Sequence, residues 1–327
     1  MTPSVPFAER WFIRMIEIEV QKAFQGDCIW IRCLSEKNTN IVVDAGPSTF
    51  SAGFISLIEK IKNNKERVDL LIFSHIDDDH TRGGLRYLQT EKEQIIDKVW
   101  INGYGTSVYT TMQEHSPNNI SDLTSLIEKK EIPIEYPISE GKEFDFSGGK
   151  IKVVGPTENE IITVAEMVKE VAEHGSKTYF CNIDEIIDKY RPDPTPTNRA
   201  SIIFVLEFEE KKLLFPGDST SENILRAINT YYPGDKFDLV KLPHHGSPRN
   251  ISREMIRQIK SENYIISTNK KVDKATFKRF IEEQEHTKLM TNYDWWTQGY
   301  FTNDDILKYI DTNKIIMQYI GDKKIIL

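Results

Sequence analysis

Ser74-His75-Ile76-Asp77-Asp78-Asp79-His80-Thr81-Arg82-Gly83-Gly84 is the stretch around which this chain is organised. Ahead of it runs Val68-Asp69-Leu70-Leu71-Ile72-Phe73, a short apolar run of the kind that forms a buried strand. Behind it, Gly83-Gly84 leads into Leu85-Arg86-Tyr87-Leu88, which has the pattern of a helix start. Four metal-capable side chains therefore stand at the end of a strand. His75 and Asp77 are two residues apart and project to one side of an extended segment. Asp79 and His80 follow where the chain must turn. A divalent ion needs several such donors converging from a rigid base. Acidic loops with a solvated histidine are common. What sets this one apart is the strand before it and further donors downstream.

His-x-Asp-x-Asp-His followed by Gly-Gly resembles the metal-binding motif of the metallo-β-lactamase superfamily, usually His-x-His-x-Asp-His, with Asp77 standing for the second histidine. That variant is similar to the branch containing the soluble hydrolase domain of the DNA-uptake protein ComEC. Three further pieces resemble that branch and occur in its order: Gln25-Gly26-Asp27 with Asp44-Ala45-Gly46, then Pro216-Gly217-Asp218, then His244-His245-Gly246-Ser247. The resemblance spans roughly residues 12–290. It implies an α/β (α+β) chain folded as a four-layer αββα sandwich of two similar halves, where composition alone supports only mixed α and β. The expected organisation is a single metallo-β-lactamase-like domain over 12–327, with 157–197 a helical insertion between the halves and 291–327 a C-terminal extension.

On the family pattern His75 and Asp77 hold a first metal, Asp79, His80 and one histidine of the 244/245 pair hold a second, and Asp218 bridges them. His244 is favoured as the ligand because it follows a strand and Pro243. His245 then contacts substrate or protonates a leaving group, and the reverse assignment stays open. Asp79 and His245 are the catalytic candidates. Asp27 and Asp44 line or support the site. The family's third histidine has no match; Asn198 and Ser201 lie where the ComEC-like branch has a similar pair. Two divalent ions are implied, and Asp77 makes the first site harder, favouring manganese or magnesium relative to zinc, which stays admissible. The chemistry implied is hydrolysis by metal-activated water, with a phosphodiester such as DNA the favoured substrate. Two alternatives share the sequence: hydrolysis of a small-molecule ester or phosphoester, and a non-catalytic or partner-activated subunit.

Bulk properties bound these readings. The 327 residues carry 39% hydrophobic and 28% charged side chains, as soluble globular chains do. No apolar stretch approaches a membrane span, and residues 1–10 lack a basic region followed by an apolar segment, so neither membrane nor secretory leader is expected. Three cysteines, Cys28, Cys33 and Cys181, make no disulfide framework and fit a reducing cytoplasm. A net charge of -8 argues against a chain coated in positive charge for nucleic acid. A cluster of Arg249, Lys270, Lys271, Lys274, Lys278 and Arg279 is nonetheless placed to line a backbone groove or to form a solvated helix face. There is no Gly-x-Ser-x-Gly, no phosphate-binding loop and no dinucleotide fingerprint.

Periodicity predicts strands over 12–21, 28–34 and 41–43, a helix from Phe50 to Asn63, and a strand at 99–101. A helix follows at 120–130, then a hairpin around Gly148-Gly149. Helices are expected from Glu158 to Glu173 and from Ile183 to Tyr190, before Pro192, Pro194 and Pro196. Beyond Asn198 strands and helices alternate to the end. His115 and His174 are expected to be bystanders. The aromatic run Tyr293, Trp295, Trp296, Tyr300 and Phe301 is assigned to core packing, with a docking patch for a protein partner or a second copy as the alternative.

Overall fold

The computed structural model describes residues 14–91, 93–102, 117–164 and 181–327. The first half contributes β1 (Met15–Val20), β2 (Ile29–Leu34), β3 (Thr39–Val43), helix α1 (Ser51–Asn63), β4 (Leu70–Phe73), α2 (Asp78–Thr90), β5 (Val99–Ile101), α3 (Pro117–Lys129) and β6 (Ile134–Glu135). The second contributes β7 (Glu143–Phe146), β8 (Gly149–Gly155), α4 (Glu158–Val164), α5 (Pro196–Arg199), β9 (Ile203–Phe208), β10 (Lys211–Phe215), α6 (Ser221–Tyr231), β11 (Leu239–Lys241), α7 (Arg253–Ile259), β12 (Asn263–Ile266), α8 (Lys274–Glu283), β13 (Thr287–Thr291) and β14 (Ile315–Tyr319). A last short strand, β15 (Ile325–Ile326), returns to the first sheet. The sheets run β15-β1-β2-β3-β4-β5-β6 and β14-β13-β12-β11-β10-β9-β8-β7.

Alternation along each strand sorts its side chains into layers. In β4, Leu70 and Ile72 join the central core with Ile16, Ile31, Phe204, Leu213 and Ile265, so the two sheets pack face to face. Leu71 and Phe73 point the other way, into a cluster with Phe54, Leu57, Tyr87 and Leu123 of α1, α2 and α3. Ile203 and Val205 likewise turn outward onto Ile224, Ile256 and Phe277 of α6, α7 and α8. The layers are therefore helix, sheet, sheet, helix. A continuous apolar run is what a strand buried on both faces requires.

Several expectations need correction. The hairpin β7–β8 pairs with β9, so it already belongs to the second sheet. The stretch after β8 thus lies between strands of the second sheet, not between the halves. Of the helix expected over 158–173, Glu158–Val164 is present and the remainder, with His174, lies outside the described residues, as does His115. Ile183–Tyr190 is not a helix: only a single 3₁₀ turn forms at Ile183–Glu185. The chain beyond it is held out by tertiary ion pairs, Asp188 to Arg253 and Arg279, at a cost to local helix. The 291–327 segment is woven in, supplying an edge strand to each sheet. Its Tyr300 and Phe301 are buried against Phe277. The basic cluster is not a uniform groove either. Lys274 is buried on Asp305, and Arg279 is buried on Asp188 and the Pro248 and Ile251 carbonyls. No helix among the described residues is long and apolar enough to cross a membrane.

Candidate metal centre

β3, β4, β10, β11, β12 and β13 lie in the parallel parts of the two sheets, and the loops at their C-terminal ends meet at one edge of the sandwich. Those loops carry Asp44, His75, Asp218, His244, Ser267 and Asn292. The turn expected at Asp79-His80 is instead the first turn of α2, with Asp77 in the N-cap position. Starting the helix here puts Asp78 and Asp79 at its positive end, where carboxylates are favoured.

Two glycines make the close approaches possible. A β-carbon on Gly83 would stand 1.9 Å from the Ala45 carbonyl oxygen, and one on Gly26 would stand 1.9 Å from that of Asp79. Only a bare backbone lets α2 seat against the Asp44-Ala45-Gly46 turn, where the Ala45 N–H donates to the His80 carbonyl at 2.8 Å. The seat delivers His80 to Asp44. Asp44 is wholly buried and in the left-handed region at φ 59°, which aspartate tolerates better than most residues. Its carboxylate accepts from the Ser74 N–H and hydroxyl, both at 2.7 Å, and faces His80 Nδ1 at 2.9 Å. With Nδ1 held against Asp44, Nε2 is the nitrogen that His80 turns inward, open to an ion once its proton has left.

Asp218 is the hub. Its Oδ2 lies 3.6 Å from His80 Nε2, 3.6 Å from His245 Nε2 and 3.8 Å from His244 Nε2. The two adjacent histidines reach the same oxygen because both sit in the left-handed region, at φ 45° and 55°, a strained arrangement of a kind that clusters at functional sites. Their outer nitrogens are held differently. His245 Nδ1 donates to the Ser267 carbonyl at 2.8 Å, with Asp27 Oδ1 at 3.5 Å. His244 Nδ1 faces Asp193 Oδ2 at 3.1 Å, beside Asn198 and Asn250 at 3.2 Å each. At the other side His75 Nε2 stands 3.6 Å from Asp77 Oδ2, and the His75 and His80 rings are 4.1 Å apart. Asp79 Oδ1 is 3.9 Å from His80 Nε2.

The electrostatics follow from this packing. Burial alone pushes the His80 imidazole down, but the Asp44, Asp218 and Asp79 carboxylates outweigh it and hold the group well above its usual value. Burial likewise opposes charge on Asp218, yet His245, His80, His244 and Lys241 hold it well below the carboxylate range. His244 is raised, against burial, by Asp218 and Asp193. Asp77 is lowered, against burial, by His75 and His80 and by a hydrogen bond to Thr197.

Every donor named from the sequence is therefore found at this edge. The arrangement also passes a test of fit to a cation. One ligand-capable atom from each of Asp27, His80, Asp218 and His245 lies within 4.8 Å of the other three. His80 Nε2 and His245 Nε2 are buried with no hydrogen-bond partner among the described residues. Native structures rarely leave such atoms orphaned unless an ion or water satisfies them. Of the third-histidine slot, Asn198 bonds Asp193 and His244, and Ser201 Oγ accepts from the Asp218 N–H at 3.2 Å; both hold donors in place.

Residues 22–155 match the sequence family described as the Metallo-beta-lactamase superfamily. The two packed sheets with helices on both outer faces are the four-layer αββα sandwich that the resemblance implies. Within curated proteins, the chain is similar to ComE operon protein 3 of Bacillus subtilis (strain 168), 29% identical over 85 residues, or 26% of this chain and 11% of that protein. The match thus spans about a tenth of that relative's length. Among solved structures it is similar to CmlA, a diiron beta-hydroxylase from Streptomyces venezuelae, at 11% identity and TM-score 0.44, covering 96% of this chain and 54% of that one. A second is the metallo-beta-lactamase fold protein YhfI from Bacillus subtilis, at 8% identity and TM-score 0.41, covering 95% and 99%.

Two residues of this centre went unnoticed in the sequence. Lys241, a lysine inside the apolar run Leu239-Val240-Lys241-Leu242, is buried beside Asp27 and Asp218. A charged residue within a run expected to be buried is the signal that marks it. Asp193, hidden between Pro192 and Pro194, carried no comparable signal.

Proposed function

We propose that this chain is a metal-dependent hydrolase with a dinuclear centre, acting on phosphodiesters, with DNA the favoured substrate. The observation that carries the reading is the convergence of three imidazole Nε2 atoms on one oxygen of Asp218. His75, Asp77 and His244 are assigned to a first ion; Asp79, His80 and His245 to a second; Asp218 stands between them. This moves His245 from substrate contact to the ligand set and lets His244 fill the slot for which the sequence offers no third histidine. Thr197 on Asp77 and Asn198 on His244 are neighbours in the chain, which supports placing those two donors side by side.

Two divalent ions held there supply an activated water and stabilise charge growing on the phosphoryl oxygens. The chain's own residues do the rest. Asp44 and the Ser267 carbonyl fix the imidazole protons on Nδ1 of His80 and His245. Asp77, Asp79 and His244 are the partly exposed members of the set, so substrate approaches from their side. Four imidazoles and three carboxylates make a mixed donor set that admits zinc or manganese, with Asp77 hardening the first site. The resemblance to the ComEC-like branch supports DNA.

The test is hydrolysis of bis-p-nitrophenyl phosphate and of single- and double-stranded DNA by metal-stripped protein supplied with manganese, zinc or magnesium, with Asp79→Ala as control. Metal-dependent cleavage lost in the control is the expected result. No cleavage with any metal, despite two bound equivalents, would refute the phosphodiester reading.

A further inference from the structure

Lys241 closes β11, three residues before His244, and its side chain is 3% exposed. Its ammonium contacts Asp27 Oδ2 and lies 3.6 Å from Asp218 Oδ1. Asp27 and Asp218 are themselves almost fully buried, and Asp44 is completely so. Burying carboxylates is costly unless a positive charge or hydrogen bonds compensate. Bound metals would be one source of that charge, present only when the centre is loaded. Lys241 is a source that is always present.

The contacts also divide the oxygens. The ammonium lies on the side of Asp218 Oδ1, and the three imidazole Nε2 atoms lie on the side of Oδ2. Asp27 is tied through Oδ2, leaving Oδ1 to back the His245 ring. We propose that Lys241 is a resident cation that stands in for the metals in the unloaded centre, its ammonium compensating the buried carboxylates of Asp27 and Asp218 from the side of Asp218 Oδ1. The inference rests on the dinuclear reading above.

The experiment is thermal denaturation of the full chain in EDTA and in excess manganese, for the unaltered protein, Lys241→Met and Lys241→Met/Asp27→Asn. In EDTA, Lys241→Met is expected to melt roughly 5 °C lower, as removing one partner of a buried pair does in a chain of this size. Manganese returns most of that loss, so its stabilising shift exceeds that of the unaltered protein. Neutralising Asp27 as well recovers stability in EDTA. If Lys241→Met does not fold in EDTA, the double variant decides: folding supports the proposal, and failure to fold overturns it. An equal manganese shift in Lys241→Met and unaltered protein, or a double variant no more stable than the single, also overturns it. Absence of any manganese shift in the unaltered protein overturns the dinuclear reading together with this one, whereas the other results leave that reading standing.

Discussion

Asp44→Asn tests the centre through a residue assigned to no metal. Asparagine fits the φ 59° position as well as aspartate does, so the backbone is undisturbed. Asp44 Oδ1 accepts from the Ser74 N–H, so the amide oxygen must take that place. The amide nitrogen then faces the Ser74 hydroxyl and His80 Nδ1. The hydroxyl can turn and accept. His80 must accept too, which moves its proton to Nε2, the atom 3.6 Å from Asp218. A protonated Nε2 is no ligand, so binding must first pay for the wrong tautomer. Losing such a support costs roughly 10–100-fold in metal affinity, or about 1.4–2.7 kcal/mol. Calorimetric titration of EDTA-stripped protein with manganese reads this directly, with urea unfolding as the check on integrity. One of two equivalents should weaken by that factor. Binding of both within twofold of the unaltered protein, with unchanged unfolding, would refute the idea that Asp44 sets the His80 tautomer.

Other outcomes follow from the same geometry. Asp193→Asn should weaken the other equivalent by roughly tenfold, because the buried carboxylate bonded to His244, Asn198 and Asn250 orients that imidazole; the same titration checks it. Gly83→Ala should destabilise the fold by roughly 1–3 kcal/mol in urea, since its β-carbon would overlap the Ala45 carbonyl oxygen, whereas nothing lies within 4 Å of the corresponding position at Gly141 and Gly141→Ala should cost only its positive-φ strain. The raised imidazoles of His80 and His244 give the metal-free protein stability that is complete below the unfolded value of about 6.5 and lost as pH rises through their folded values. Urea midpoints in EDTA should therefore fall as pH rises above about 6.5, while manganese affinity climbs over the same window as protons cease to compete.

The layers of the fold were legible because a strand buried on both faces writes a continuous apolar run, as in Leu70–Phe73, and an amphipathic helix writes a stripe, as in Phe54, Leu57, Ile58 and Ile61. The donors were legible because histidine and aspartate directly after such runs have few other uses. What the sequence hid was tertiary. Residues 183–190 have helical spacing, but Asp188 makes two ion pairs with Arg253 and Arg279 that an isolated helix could not offer, and these hold the chain out of it. Lys274 and Arg279 look like a solvated face until their partners Asp305 and Asp188, distant in sequence, are brought against them. The helix start at Asp78 rather than at Leu85 depends on Gly83 meeting Ala45, again a contact between remote segments.

The left-handed pair at 244 and 245 bears on the slot that the sequence left without a histidine. In an extended strand, adjacent side chains point to opposite faces, and on a helix they are set about a quarter-turn apart. Neither geometry sends two neighbours to one oxygen. With φ at 45° and 55°, the rings lie 5.9 Å apart, inclined at 76°, and both Nε2 atoms face Asp218 Oδ2. Gly246, itself at φ 90°, returns the chain to the body of the domain, where Thr276 bonds its carbonyl at 2.8 Å. Non-glycine residues in this region pay strain of order 1–3 kcal/mol each, and they persist only where surrounding contacts hold them. Here those contacts are Ser267 on one ring and Asp193 with Asn250 on the other. One loop thereby brings two imidazoles to the same oxygen of Asp218, which supports the proposed placing of His244 in the slot left without a separate histidine.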